Sequence, residues 1–329
     1  MDAATATAAM AVSASRRPLL RAGFSAKGSR RPMSKRQLER VGLVITGACI
    51  LLVTLVVAAL IIMVSVKGLA AFAHDGVSPL AFFTGTTWAL HLTDSTGMPY
   101  TGALPLIVTS FTVMVLATAI ALPVALGSAI FAVEISPDFG RRAFQPVVEL
   151  LVGIPSVVFG LMGYRVVAGA MKVIFGSATG LGILPAAIVL AVMILPTITT
   201  FSIDALRAVP ASLRQGSLAL GCTQWQTIWH VVLHAARPSL ITAAILGMTR
   251  AFGETLAVRM VIGGIEAMPA GLLAPASTIT TTLTTSMAVY ADGSLQADAL
   301  WTLGLVLMAM SLAFILIIHK VGKGRGAHA

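Results

Sequence analysis

Charge is scarce in this sequence: only 10% of its 329 residues are Asp, Glu, Lys or Arg. A soluble domain of that size covers its surface with roughly a quarter charged residues, so that class is excluded. Cysteine is nearly absent. Cys49 sits in an apolar run and Cys222 in a basic loop, and together they complete no motif, which argues against a disulfide framework. The chain has no GxxxxGK[ST] phosphate-binding loop, so if ATP drives it, another chain binds the nucleotide. No stretch supplies a nucleophile with its base, a metal cluster or a paired-carboxylate site, so no catalytic residue and no enzymatic activity is expected. His230 and His234 are one helical turn apart but lack a third ligand, and no metal site is assigned.

What the chain has instead is apolar length. Hydrophobic residues make up 57% of it, gathered in runs that lack the alternation of half-buried soluble elements. Runs of about 18–25 apolar residues match the hydrocarbon core of a bilayer. Six such spans are expected: Val41 to Val66; a second within Gly102 to Val133, kinked at Pro123; Pro146 to Val173, with Glu149, Pro155 and Arg165; Gly182 to Ser202, with Pro185 and Pro196; Pro238 to Gly264, with Arg250, Glu254 and Arg259; and Ala299 to His319. The fold class is therefore an all-α polytopic membrane protein.

The formal net charge of +10 belongs to orientation rather than to nucleic acid, and no nucleic-acid partner is expected. Residues 1–40 hold nine basic side chains between Arg16 and Arg40 and only two acids, Asp2 and Glu39. This tail reads as a disordered cytosolic segment that touches anionic membrane lipid, although a transit peptide has a similar composition. Further basic residues lie at Arg141 and Arg142, at Arg207, Arg214 and Arg237, and at Lys320, Lys323 and Arg325. With six spans all these segments share one side, whereas residues 67–101 offer only Lys67 and residues 265–298 offer no Lys or Arg. The positive-inside rule then places both termini in the cytosol.

Two regions carry chemistry. Arg250 and Glu254, four residues apart in the fifth span, are expected on one helix face. Ionisable residues at bilayer depth face protein or a water-filled path. The pair therefore reads either as part of a transport path or as an ion pair that locks the helix to a neighbour. An arginine fork suits an oxyanion, and a nearby carboxylate favours an anion that still carries a proton, as phosphate does at neutral pH and sulfate does not. Glu149 is expected to pair with a basic residue across the bundle, while Arg165 and Arg259 read as snorkelling side chains. The second region is Asp204 to Pro238. Ala211 to Leu220 suits a short helix, Gly221 a sharp turn and Trp225 to Ala236 a second helix, forming either a knob for a partner or an interfacial hairpin.

That second region resembles the coupling loop of ABC-importer permeases, whose pattern is EAA, three residues, Gly, nine residues, then I-x-L-P. Gln215-Gly216-Ser217 stands at the triplet, Gly221 and Leu233 match, Val231 replaces the isoleucine and His234 the proline. ELLVGIPSVVFGLMG (149–163), RAVPASLRQGSLALG (207–221) and RAFGETLAVRMVIGG (250–264) resemble segments of phosphate permeases of the PstC type. The likeness covers roughly residues 100–320 and leaves out the N-terminal tail.

The resemblance implies a type I importer permease fold and a role as the membrane-spanning, non-catalytic subunit of an ATP-driven phosphate importer in a bacterial inner membrane. It also implies site and partner assignments. Arg250, Glu254, Ser156 and Glu149 are assigned to the substrate path, and Gln215, Gly216, Ser217, Gly221 and Leu233 to ATPase coupling. The expected partners are a homologous PstA-type permease, two cytosolic ATPase subunits that bind ATP and Mg, and an extracytoplasmic phosphate-binding protein. This chain itself holds no cofactor. The alternatives are a permease for phosphonate, molybdate or sulfate, and an ion-coupled secondary transporter.

Overall fold

The computed structural model describes residues 35–93 and 97–323. Helices dominate, and among the described residues six are long and apolar enough to cross a membrane. The first helix, α1 (Lys35–Ala73), has apolar residues all round, as a segment solvated by lipid requires. The chain divides within α1 at Ala58 into two compact units. The second, which begins at Ala59, holds every element that follows.

After α1 come a short helix, α2 (Pro79–Thr84), and two strands, β1 (Trp88–Thr93) and β2 (Pro99–Thr101). The strands form an antiparallel ribbon, with Trp88 opposite Thr101 and Ala89 opposite Tyr100. Phe82, Trp88, Leu106, Ile279, Leu300 and Leu303 bury their side chains together and seat this cap on the helices.

The second span, α3 (Leu104–Ile130), continues as a wider π turn over Phe131–Ile135. Pro137 stops it, and a second π turn, Gly140–Phe144, leads into α4 (Gln145–Val152). Here the structure departs from the single third span expected over 146–173. Pro155 has no N–H and pushes Ile154 away from helical geometry, so the chain breaks at Gly153–Pro155. The membrane-crossing segment is Ser156–Phe175, consisting of α5 (Ser156–Met162), a π turn (Gly163–Val167) and α6 (Ala168–Phe175). Glu149 therefore lies before the span and not within it.

The fourth span, α7 (Ile183–Arg207), is the most buried of the six. Val113, Met114, Leu190, Ile194, Ile198, Phe252 and Val261 form the main apolar core around it. The chain then turns through α8 (Ala211–Ala219) and Gly221, whose φ of +87° is the left-handed conformation that glycine adopts without strain. The second helix of the expected knob is not a separate piece. It starts at Gln224, capped by Thr223 and Gln226 in a capping box, and runs through a π turn (Thr227–Val232) into α9 (Leu233–Gly253). The fifth span is thus Gln224–Gly253 rather than 238–264.

Past Gly253 the chain forms α10 (Leu256–Ile262), an irregular stretch that bridges Gly263 to Ala276 and Thr87 to Ala267, and α11 (Ile279–Ser286). The segment 265–298, which lies between the expected fifth and sixth spans, therefore contains a helix packed in the molecule. The sixth span belongs to α12 (Leu295–Lys323).

Candidate functional site: the break in the fifth span

Glu254 does not continue the helix that carries Arg250. Its backbone is extended, with φ −77° and ψ 131°, and its carbonyl already accepts a hydrogen bond from the Thr280 hydroxyl at 3.1 Å. Its carboxylate turns to the start of α10, where Oε1 accepts from the Ala257 N–H at 3.3 Å. A carboxylate that accepts an otherwise orphaned first-turn N–H stabilises a helix start. The expectation that Arg250 and Glu254 share one helix face is overturned, because the helix ends between them, and among the described residues they form no ion pair.

Arg250 remains in the last turn of α9, where a cation opposes the negative end of the helix dipole. Its Nη1 donates to the Thr197 hydroxyl on α7 at 2.8 Å. Among the described residues that is the one hydrogen bond of its guanidinium, although the group has five N–H donors. The side chain is half-buried. It therefore holds a fixed charge beside the most buried span with donor capacity to spare.

Around Glu254 the break opens a cavity of about one water's size, lined by Ser110, Val113, Leu190, Phe252, Thr278 and Thr280 among others. Three hydroxyl residues from two elements line it together with Glu254. Ser110 on α3 accepts from the Ile279 N–H at 2.9 Å, and Thr278 caps α11 by accepting from the Thr281 N–H at 3.3 Å. The run from Ser277 to Ser286, with eight hydroxyl residues in ten, was the sequence signal for this wall. Neither this run nor Thr197 and Ser110 was singled out from the sequence.

The other expected site residues are dispersed. Ser156 begins α5 and is half-buried. Glu149 is exposed and, among the described residues, forms no ion pair with a basic residue across the bundle: Gln145 donates to it at 2.9 Å and separately accepts from Arg207 at 3.0 Å. On and after α8, Gln215, Gly216 and Gly221 are exposed. Ser217 is buried and shares a 2.9 Å hydrogen bond with Thr227, while Leu233 packs with Leu206, Val209, Val232 and Ala236. At the other end of the molecule Glu266 is half-buried. Burial pushes its carboxyl above the ordinary range, against the pull of the Thr282 hydroxyl, Arg259 and His91.

Comparison with known proteins places this architecture. Residues 121–321 match the family described as binding-protein-dependent transport system inner membrane component. A Bacillus subtilis protein named as a probable ABC transporter permease, YqgH, is 47% identical over 88% of this chain and 93% of its own. The phosphate transport system permease protein PstC of Mesorhizobium japonicum is 33% identical, over 72% of this chain and 81% of its own. Among solved structures, an inward-facing methionine ABC transporter, MetNI, superposes with a TM-score of 0.51 over 68% of this chain and 94% of its own, at 19% identity, which is a likeness of fold.

Proposed function

Since the chain belongs to the family of binding-protein-dependent transport inner membrane components, and so is a multi-pass, non-catalytic permease subunit of an ABC transporter, we propose that the solute it passes is phosphate. Membership of that family brings with it an ATPase and a substrate-binding protein as partners. The finer composition, a PstA-type permease beside this chain, two ATPase subunits and a phosphate-binding protein, belongs to the proposal. So does the orientation, in which the end bearing Arg141, Arg207, Arg214 and Arg237 faces the cytosol.

The observation that carries the reading is Arg250, a permanent cation at the break of a membrane helix with most of its donors unclaimed. A guanidinium presents a planar fork that fits two oxygens of a tetrahedral oxyanion. Relatives named for phosphate transport point to the same class of solute. Glu254, one residue past the break, adds selectivity: a carboxylate there repels a fully deprotonated anion and accepts a hydrogen bond from one that still carries a proton. The cavity beside Glu254 holds about one water, too little for phosphate. The solute therefore passes only when the elements around the break separate, as alternating access requires. Gln215, Gly216 and Gly221 offer the ATPase an accessible surface, with Ser217 and Leu233 anchoring it from behind.

Radiolabelled phosphate uptake, in cells lacking this chain and then supplied with it, tests the reading through competition. Arsenate, which shares phosphate's charge and protonation, is expected to compete. Sulfate and molybdate in excess are not. Uptake that molybdate or sulfate abolishes would assign the permease to another oxyanion.

A further inference from the structure

Among the described residues one ion pair bridges separate elements, and it lies in neither set of site residues above. Glu134, in the π turn that ends the second span, faces Arg214 on α8. The Arg214 Nη2 lies 2.7 Å from Glu134 Oε1, and Nε lies 3.2 and 3.3 Å from the two carboxylate oxygens. The same guanidinium donates from Nη2 to the Leu206 carbonyl at 2.8 Å and from Nη1 to the Val209 carbonyl at 2.6 Å. Those carbonyls lie at and just past the C-terminal end of α7, where helical partners run out and a cation is favoured. Behind the pair, Gln224 donates to the Glu134 backbone carbonyl at 2.9 Å. The side chains are 23% and 9% exposed for Arg214 and Glu134, so the contact is largely shielded from water.

One side chain thus joins three elements: the short helix α8, the end of the second span and the end of the fourth. Ser217, one turn along α8, adds the fifth span through Thr227. The far side of α8 is open, with Ser212, Gln215 and Gly216 exposed, and Leu213, Leu218 and Leu220 are exposed at its flanks and in the turn that follows. A helix gripped on one side by three spans and open on the other is built to pass on a displacement. Coulombic attraction in a shielded site, with two carbonyls as further acceptors, resists stretching far better than apolar contact alone.

We infer that Arg214 is a positioning residue for transport: it clamps α8 to the ends of the second and fourth spans, so that a push on α8 moves the spans that enclose Arg250 and Glu254. The clamp rests on the permease assignment but not on phosphate being the solute, and its test uses no transported solute. The assembled transporter is placed in liposomes with Cys49 and Cys222 replaced by serine and Ser110→Cys as a probe beside Glu254. ATP hydrolysis and the rate at which a membrane-impermeant thiol reagent labels that cysteine are measured together.

With Arg214 intact, ATP is expected to change the labelling rate. With Arg214→Ala, hydrolysis is expected to continue while the response to ATP falls by about tenfold, the scale of losing a charge-assisted contact. Arg214→Lys keeps a charge but not the fork and is expected to recover part of the response. Should Arg214→Ala fail to assemble, Glu134→Gln, which keeps one acceptor oxygen, carries the same test with a smaller loss. A full response in these variants, or hydrolysis and response falling together, would overturn the inference and reduce Arg214 to a support for the ATPase docking surface.

Discussion

Two arginines, Arg214 and Arg250, are both half-buried near helix C-termini, and they differ in how much of their hydrogen-bonding capacity the protein consumes. Arg214 spends its donors on a carboxylate and two carbonyls, whereas Arg250 donates to the hydroxyl of Thr197. A guanidinium with four of its five N–H donors matched is a structural fastener, and removing its partners leaves charge stranded in a shielded site. One held by a single hydroxyl is steadied in direction while its remaining donors stay free for an anion. The same residue type thus serves stability in one region and solute in the other, and the local acceptor supply decides which.

The comparison can be broken most sharply through stability. Glu134→Gln leaves Arg214 without its counter-charge and is expected to cost about 2 kcal/mol, below the range for fully buried pairs because Arg214 is partly exposed. Arg250→Ala is expected to cost about half of that or less, since one hydrogen bond is lost. Thermal unfolding of the purified assembly checks both, and equal losses would erase the distinction. Gly140→Ala follows at about 1–2 kcal/mol, because a Cβ there runs into the backbone of Ala132, two residues from Glu134, and pushes the π turns apart. Thr197→Val is expected to change stability by about 1 kcal/mol or less and the apparent KM for uptake several-fold, as Arg250 loses the group that aims it.

The smallest effect lies outside both regions, at Glu266. Its raised carboxyl pKa means that the folded state holds the proton more tightly than the unfolded state. Between the ordinary carboxylate value and that raised one, the contribution of Glu266 to stability therefore falls as pH rises. Glu266→Gln is expected to raise the unfolding midpoint slightly at pH 7 and to flatten its pH dependence across the mildly acidic range, as thermal scans at several pH values would show.

Six spans were legible in the sequence because apolar length is a composition signal that survives without tertiary information. The helix over 211–219 and the turn at Gly221 were legible for a similar reason, since both are set by local residue types. The breaks were not. Pro155 was noted in the third span, but its consequence, that Glu149 stands outside it, depends on where the chain resumes its helix. At Gly253 no proline warns of the end. The helix stops because Glu254 and Thr280 satisfy the exposed backbone groups there, and those two residues are 26 positions apart. The Glu134–Arg214 pair spans 80 positions, so no periodicity connects its members. Arg250 was legible as a charge at bilayer depth, and its unspent donors were visible only once its neighbours were in place.

The most direct test of the account is the initial rate of radiolabelled phosphate uptake with Arg250→Ala, inserted at the level of the native chain in cells that lack it. The account predicts a loss of about a hundredfold or more, the scale of removing a bidentate contact from a shielded charge. Uptake within about twofold of the native rate, a difference of under half a kcal/mol, would contradict it and leave Arg250 with a structural role only.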